Sequence, residues 1–145
     1  MSRLVQAIDT FRSTGDAADL CAEIPYLRFM GARFSVDDGV VLAHMPYGEH
    51  VVGNAAIPAL HGGSLGALLE ATAIMQLFWE AEALIVPKTI TLTVDYLRSA
   101  GPIDTFARCE ITKKGRRVVN VHATAWQDDP GRPVASAVAH FLVAG

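Results

Sequence analysis

The residues with the clearest chemical potential stand close together: Asn54, then His61-Gly62-Gly63, then Glu70 nine positions after the histidine. A helix start presents unpaired N–H groups at the positive end of its dipole, and glycines let a ligand approach that backbone closely. Such a place can hold an oxyanion. Glu70 shares its face of the expected helix with Gly66, Ala67, Ala73, Ile74 and Leu77, so its carboxylate points into an apolar region. A carboxylate in that setting is a candidate general base or nucleophile. Together with the Gly62 N–H it makes up the parts that acyl-transfer hydrolysis requires. Two plainer readings stand beside this one. The glycines can serve only a tight loop-to-helix turn, and Glu70 can be a structural ion pair or a hydrogen-bonded core carboxyl.

Gly62 and Glu70 are eight residues apart, which separates them by about 12 Å along a helix. One chain cannot bring both to one carbonyl, so a joint role predicts a homodimer or homotetramer whose site pairs Gly62 of one copy with Glu70 of another. Gly62-Gly63-Ser64-Leu65-Gly66 also matches the G-x-S-x-G nucleophile elbow, but that elbow needs a strand before the serine and an acid and a histidine later in a βαβ fold. Here a Pro-containing loop precedes Ser64 and only strands follow the helix. Five of the twelve basic residues, Arg108, Lys113, Lys114, Arg116 and Arg117, fall within ten positions, either a solvated turn or a clamp for the phosphates of a nucleotide-bearing substrate. His44, His50, His122 and His140 lack metal-ligand spacing, and no metal or other cofactor is expected.

These groups need a scaffold, and the chain bounds it. A length of 145 residues predicts one domain, residues 1 to 145, hiding roughly two-thirds of its unfolded surface. Hydrophobic residues make up 51% and charged residues 19%, which excludes a disordered or coiled-coil chain. Twelve Lys and Arg against fifteen Asp and Glu give a net charge of -3, so nothing calls for nucleic acid or an anionic membrane. The two cysteines form no CxxC pair, and the N-terminus lacks the apolar stretch of a secretory signal. A cytoplasmic location is expected. The most apolar window, 61 to 87, is broken by Glu70, Glu80 and Glu82, so it reads as a buried helix rather than a membrane span.

Residues 1 to 26 read as an N-terminal helical segment, with a helix over 3 to 12 and a second, capped by Asp16, running to about Glu23 before Pro25. Apolar segments 27 to 36 and 40 to 46 flank Asp38-Gly39, a hairpin signal. A loop over 47 to 60 leads into the long helix, expected from 62 to about 83. After Pro87, Ile90, Leu92, Val94 and Tyr96 alternate with Thr89, Thr91, Thr93 and Asp95, the period of a half-buried strand. Three more strands, 103 to 112, 117 to 127 and 133 to 143, complete an antiparallel meander around turns at 113 to 116 and 128 to 131. The class is α+β, one helix wrapped by a sheet of about six strands.

The Asn54 loop, the run HGGSLGALLEATA, the later VDYLRSA and the KKGRR turn resemble the hotdog-fold acyl-CoA thioesterases of the phenylacetate-degradation type, over residues 27 to 143. The resemblance implies a hotdog fold and hydrolysis of an aryl- or fatty acyl-CoA thioester. It implies that Gly62 supplies the oxyanion N–H and Glu70 the base or nucleophile. Asn54 and His61 would orient the thioester or water, and Thr89 would hold a hydroxyl-bearing position. Gly63, Lys113, Lys114, Arg116 and Arg117 would meet the CoA portion. A hotdog dehydratase or hydratase and a non-catalytic acyl-CoA binder are the alternatives.

Overall fold

In the computed structural model, which describes residues 2–81 and 84–144, three short helices precede the first strand. Helix α1 (Arg3–Thr14) is capped by Ser2, whose side chain accepts from the Val5 N–H, and ends at Gly15 with φ 78°, a left-handed cap that glycine adopts without a Cβ clash. Asp16 Oδ1 accepts from the Ala18 N–H at 2.9 Å, but the N-cap of α2 (Ala18–Glu23) is Ala17, without a side-chain cap, so the expected Asp16 cap stands one residue before the helix boundary. Pro25 stops α2 and starts α3 (Pro25–Met30), because its ring blocks helix continuation but suits a first helical position. This corrects the sequence reading: residues 27 to 30 are helical, the N-terminal helical segment runs to Met30, and strand β1 covers only Arg33–Asp37. Apolar spacing in so short a run does not separate the two states.

Strands β1 and β2 (Val40–Met45) form the expected hairpin, with φ 50° at Asp38 and 76° at Gly39, the two positive φ values of a type I′ turn. The 47 to 60 loop contains one 3₁₀ turn, Glu49–Val51, and a small ribbon of β3 (Val52–Asn54) and β4 (Ala59–Leu60). Helix α4 spans Gly62–Glu80. It ends before the expected boundary at residue 83, which lies outside the described residues. Strands β5 (Lys88–Tyr96), β6 (Thr105–Lys114), β7 (Val118–Trp126) and β8 (Ala135–Leu142) follow.

The six long strands make one antiparallel sheet in the order β1-β2-β6-β7-β8-β5. Only β6, β7 and β8 form a meander. Strand β5 pairs with β8 rather than β6 and lies at the sheet edge, because alternation marks a strand without naming its neighbour. Helix α4 packs across one face of this sheet. Ala107, Ala123, Ala125, Ala135, Ala137 and Ala139 are all buried on that face, and such small side chains let a bulky helix come close. Leu68 and Leu69 are fully buried, each contributing about 2 kcal/mol. The buried Gln76 ties α4 to the hairpin, accepting from the Val41 N–H at 2.8 Å and donating to the Gly39 carbonyl at 3.0 Å. On the other side of α4, Phe11 meets Trp79 edge-on at 5.6 Å.

Candidate active site

His61 is the N-cap of α4, and its Nδ1 accepts from the Gly63 N–H at 2.8 Å. The Ser64 and Leu65 N–H groups turn back to the His61 carbonyl. Among the described residues, the Gly62 N–H meets no acceptor, so it is the unpaired donor at this helix start. Tyr96, from β5, donates its hydroxyl to the Gly62 carbonyl at 2.8 Å. Its ring lies 3.1 Å from where a Gly62 Cβ would stand, so any larger residue there must push the ring aside by a few tenths of an ångström. Sequence reasoning missed this role for Tyr96. Its place in the strand's alternation was the available signal, since it puts Tyr96 on the helix-facing side with Leu92 and Val94.

Glu70 is half-buried. Its Oε2 accepts from the Thr89 hydroxyl at 2.8 Å, and among the described residues no ion pair reaches it. Strict alternation would put Thr89 on the opposite face of β5 from Leu92 and Val94. The register shifts at Ile90 instead: Thr89 pairs with buried Phe141, Thr91 with His140, and Leu92 with buried Ala139. This bulge turns Thr89 to the helix side and leaves Ile90 52% exposed, a re-aiming of one side chain by one extra residue. Glu70 also lines an apolar cavity of about 360 Å³ with Ile24, Tyr26, Leu27, Ala67, Ala71, Ile74 and Met75.

The structure thus brings His61, Gly62 and Gly63 together at one point and Glu70 and Thr89 at another. The two points lie about 12 Å apart along α4. Asn54 joins neither by a hydrogen bond among the described residues; its Oδ1 accepts from the Ala56 N–H at 3.1 Å within its own loop. Ser64 is buried and donates to the His61 carbonyl at 2.7 Å, an arrangement without the histidine base an elbow serine needs. The cysteines are equally unsuited to attack. Burial, with Glu80 and Glu110 nearby, pushes the Cys109 thiol up to about 12, and burial with Asp16 pushes Cys21 up to about 11. No three or more His, Cys, Asp or Glu among the described residues gather where a metal ion could be held.

The family profile described as the acyl-CoA thioesterase N-terminal domain matches residues 52–142, from the small ribbon before α4 through the last strand. The chain belongs to this acyl-CoA thioesterase family. It is a thioester hydrolase. A Chromobacterium violaceum protein of known structure is 38% identical, with a TM-score of 0.79 over 97% of this chain and 98% of that one. A phenylacetic acid degradation-related protein from Ralstonia eutropha JMP134 shares the fold at 24% identity, with a TM-score of 0.77 over 94% of this chain and 99% of that one. A Haemophilus influenzae thioesterase does so at 17% identity, with a TM-score of 0.76 over 87% and 86%. A comparison with curated protein sequences finds no match. The helix across an antiparallel six-stranded sheet is the hotdog fold.

In this thioesterase the basic cluster sits at the opposite end of α4 from Gly62. Lys113 and Lys114 belong to β6 rather than to the turn, and all four cations, Lys113, Lys114, Arg116 and Arg117, are exposed. A second bulge acts here. Ile111 pairs with Val121, Lys113 with Asn120, and Lys114 with buried Val119, so the helix-side position that alternation would assign to Lys113 goes to Lys114. Lys114 and Arg116 then rim a pocket of about 220 Å³ with Leu77, Glu80, Ile85 and Ile111. Glu80 lies about 15 Å along α4 from Glu70. No helix among the described residues is long and apolar enough to cross a membrane.

Proposed function

We propose that the protein hydrolyses the thioester of an aryl- or fatty acyl-CoA in the cytoplasm, with Glu70 as general base or nucleophile and the Gly62 N–H as oxyanion donor. The observation that carries this reading is the hydrogen bond of Thr89 to Glu70, which lines an apolar cavity, while among the described residues the Gly62 N–H stands unpaired at the start of the same helix. In the general-base form, Glu70 takes a proton from water as the water oxygen attacks the carbonyl carbon. The charge that develops on the carbonyl oxygen meets the Gly62 N–H. The carbon–sulfur bond then breaks, and the CoA thiolate leaves with the proton from Glu70. In the nucleophile form, the carboxylate itself attacks and water opens the resulting anhydride. A single turnover in heavy-oxygen water identifies the nucleophile form when water attacks the Glu70 carbon of that anhydride, because the first product then keeps a Glu70 oxygen and the label goes to the Glu70 carboxylate.

The 12 Å separation makes the site a shared one, in which Glu70 of one copy faces Gly62 of another in a homodimer or homotetramer. The nine-residue edge strand β5 supports the assembly, since among the described residues one rim of its backbone pairs with no strand, and Ile90 and Tyr96 are exposed along it; such an edge is a template for pairing with another chain. His61 orients the helix start, Asn54 reaches the thioester or water once substrate is bound, and Gly63 with Lys113, Lys114, Arg116 and Arg117 takes the CoA portion.

Subunit mixing tests the shared site. Glu70→Gln removes the basic oxygen. Gly62→Pro removes the N–H at a first helical position, where proline is tolerated and where His61 already has the extended conformation that precedes proline, φ -67° and ψ 129°; Gly62→Ala, which keeps the N–H and meets the same Tyr96 ring, is its control for crowding. Glu70→Gln and Gly62→Pro each alone lose activity by about 10²-fold or more. Mixed subunits recover about a quarter of the parental rate, since half the dimers are hybrids and each hybrid holds one intact site. Hybrids that are present by mass but inactive, or a monomer that works at full rate, sink the shared arrangement.

A further inference from the structure

The cavity beside Glu70 has one wall that the chemistry leaves unexplained. Ala67, Ala71 and Ile74 stand at helical spacing around Glu70 on α4, and the two alanines leave a slot where larger residues would fill it. The opposite wall comes from the junction of α2 and α3. Ile24 caps both helices in extended conformation, φ -105° and ψ 104°, because Pro25 prevents α2 from continuing. That break turns Ile24, Tyr26 and Leu27 into the cavity. Tyr26 is braced by Phe29, with ring centroids 5.8 Å apart. Among the described residues lining the space, Glu70 is the one that is charged and none is a cation.

We infer that the α2–α3 junction is the chain-length stop of this thioesterase, with Tyr26 and Leu27 meeting the far end of an uncharged apolar acyl group whose carbonyl lies at Glu70. The inference rests on Glu70 being the catalytic carboxylate. A volume of about 360 Å³ exceeds the ~150 Å³ cavity that holds benzene, so a ring with a short linker or a medium chain fits. A palmitoyl chain overruns the wall. A dicarboxylic acyl group would bury its second carboxylate without a partner, which is disfavoured.

The experiment is kcat/KM over hexanoyl-, octanoyl-, dodecanoyl-, palmitoyl- and succinyl-CoA for the parent and four variants. Tyr26 is 53% exposed, so Tyr26→Ala folds, whereas Leu27 is 5% exposed and Leu27→Ala carries a larger folding risk. Ala71→Leu narrows the slot from the α4 side. Tyr26→Ala and Leu27→Ala raise dodecanoyl-CoA turnover relative to octanoyl-CoA, by about fourfold for each additional methylene buried. Ala71→Leu lowers that ratio, and succinyl-CoA stays poor throughout. Profiles over the panel that match the parent's in folded Tyr26→Ala and Ala71→Leu overturn the inference. Glu70→Gln keeps the two readings apart: it lowers turnover of every chain length by about 10²-fold or more and leaves the ratios between chain lengths as in the parent. If Glu70→Gln stays fast while the wall variants still shift the profile, the catalytic reading falls and the stop stands.

Discussion

The start of α4 and its middle differ in what holds their polar groups. At the start, His61, Gly63 and Ser64 are tied to one another within three residues, by the His61 side chain and carbonyl, and the Gly62 N–H is left over as a consequence of helix geometry. In the middle, Glu70 is held by a hydroxyl nineteen residues away, on an edge strand whose register must shift to deliver it. The first arrangement is local and backbone-built, so it depends on glycine and on helix formation. The second is long-range and side-chain-built, so single substitutions can loosen it by degrees.

That contrast ranks the consequences of mutation. Glu70→Gln keeps size and hydrogen bonding but removes the basic oxygen, and it lowers kcat by about 10² to 10⁴-fold with near-normal substrate affinity; a folded, dimeric variant as fast as the parent makes Glu70 a structural carboxyl. Thr89→Val keeps shape and removes one hydrogen bond to a charged acceptor, worth about 1.5–3 kcal/mol, so kcat falls by about tenfold or more and Thr89→Ser restores most of it. Equal loss in both variants would show that packing at the bulge, not the hydroxyl, matters.

The far end of α4 sharpens the comparison further. Neutralising Lys114, Arg116 and Arg117 together raises KM several-fold, flattens its salt dependence and leaves kcat nearly intact, as expected of exposed charges that hold phosphates. A drop in kcat alone assigns the turn another role. The smallest effect belongs to Ser64→Ala, which removes a hydroxyl bonded to the His61 carbonyl at 2.7 Å and keeps activity within about threefold. Loss by orders of magnitude with an acyl-serine adduct in the mass spectrum would overturn the assignment of roles.

The sequence alone determined whatever a short stretch of chain can decide. The helix start at His61-Gly62-Gly63, the Asp38-Gly39 turn and the β5 strand each follow from neighbours a few residues apart, because capping, turn chemistry and periodicity are local. The α+β class was legible for the same reason, whereas the thioesterase family was legible only through the resemblance of HGGSLGALLEATA, VDYLRSA and the KKGRR turn to known members. Tertiary structure decided which residues meet across distance. It put β5 beside β8 rather than β6 and bulged it so that Thr89, not Ile90, faces Glu70. It did the same in β6, giving Lys114 the place that alternation assigns to Lys113. It also made residues 27 to 30 helical, so that Tyr26 and Leu27 close a cavity against α4. A bulge adds one residue to one strand and leaves no mark in the hydrophobic pattern on either side of it, and the wall of a cavity exists only when distant segments pack; neither is written in any local run of residues.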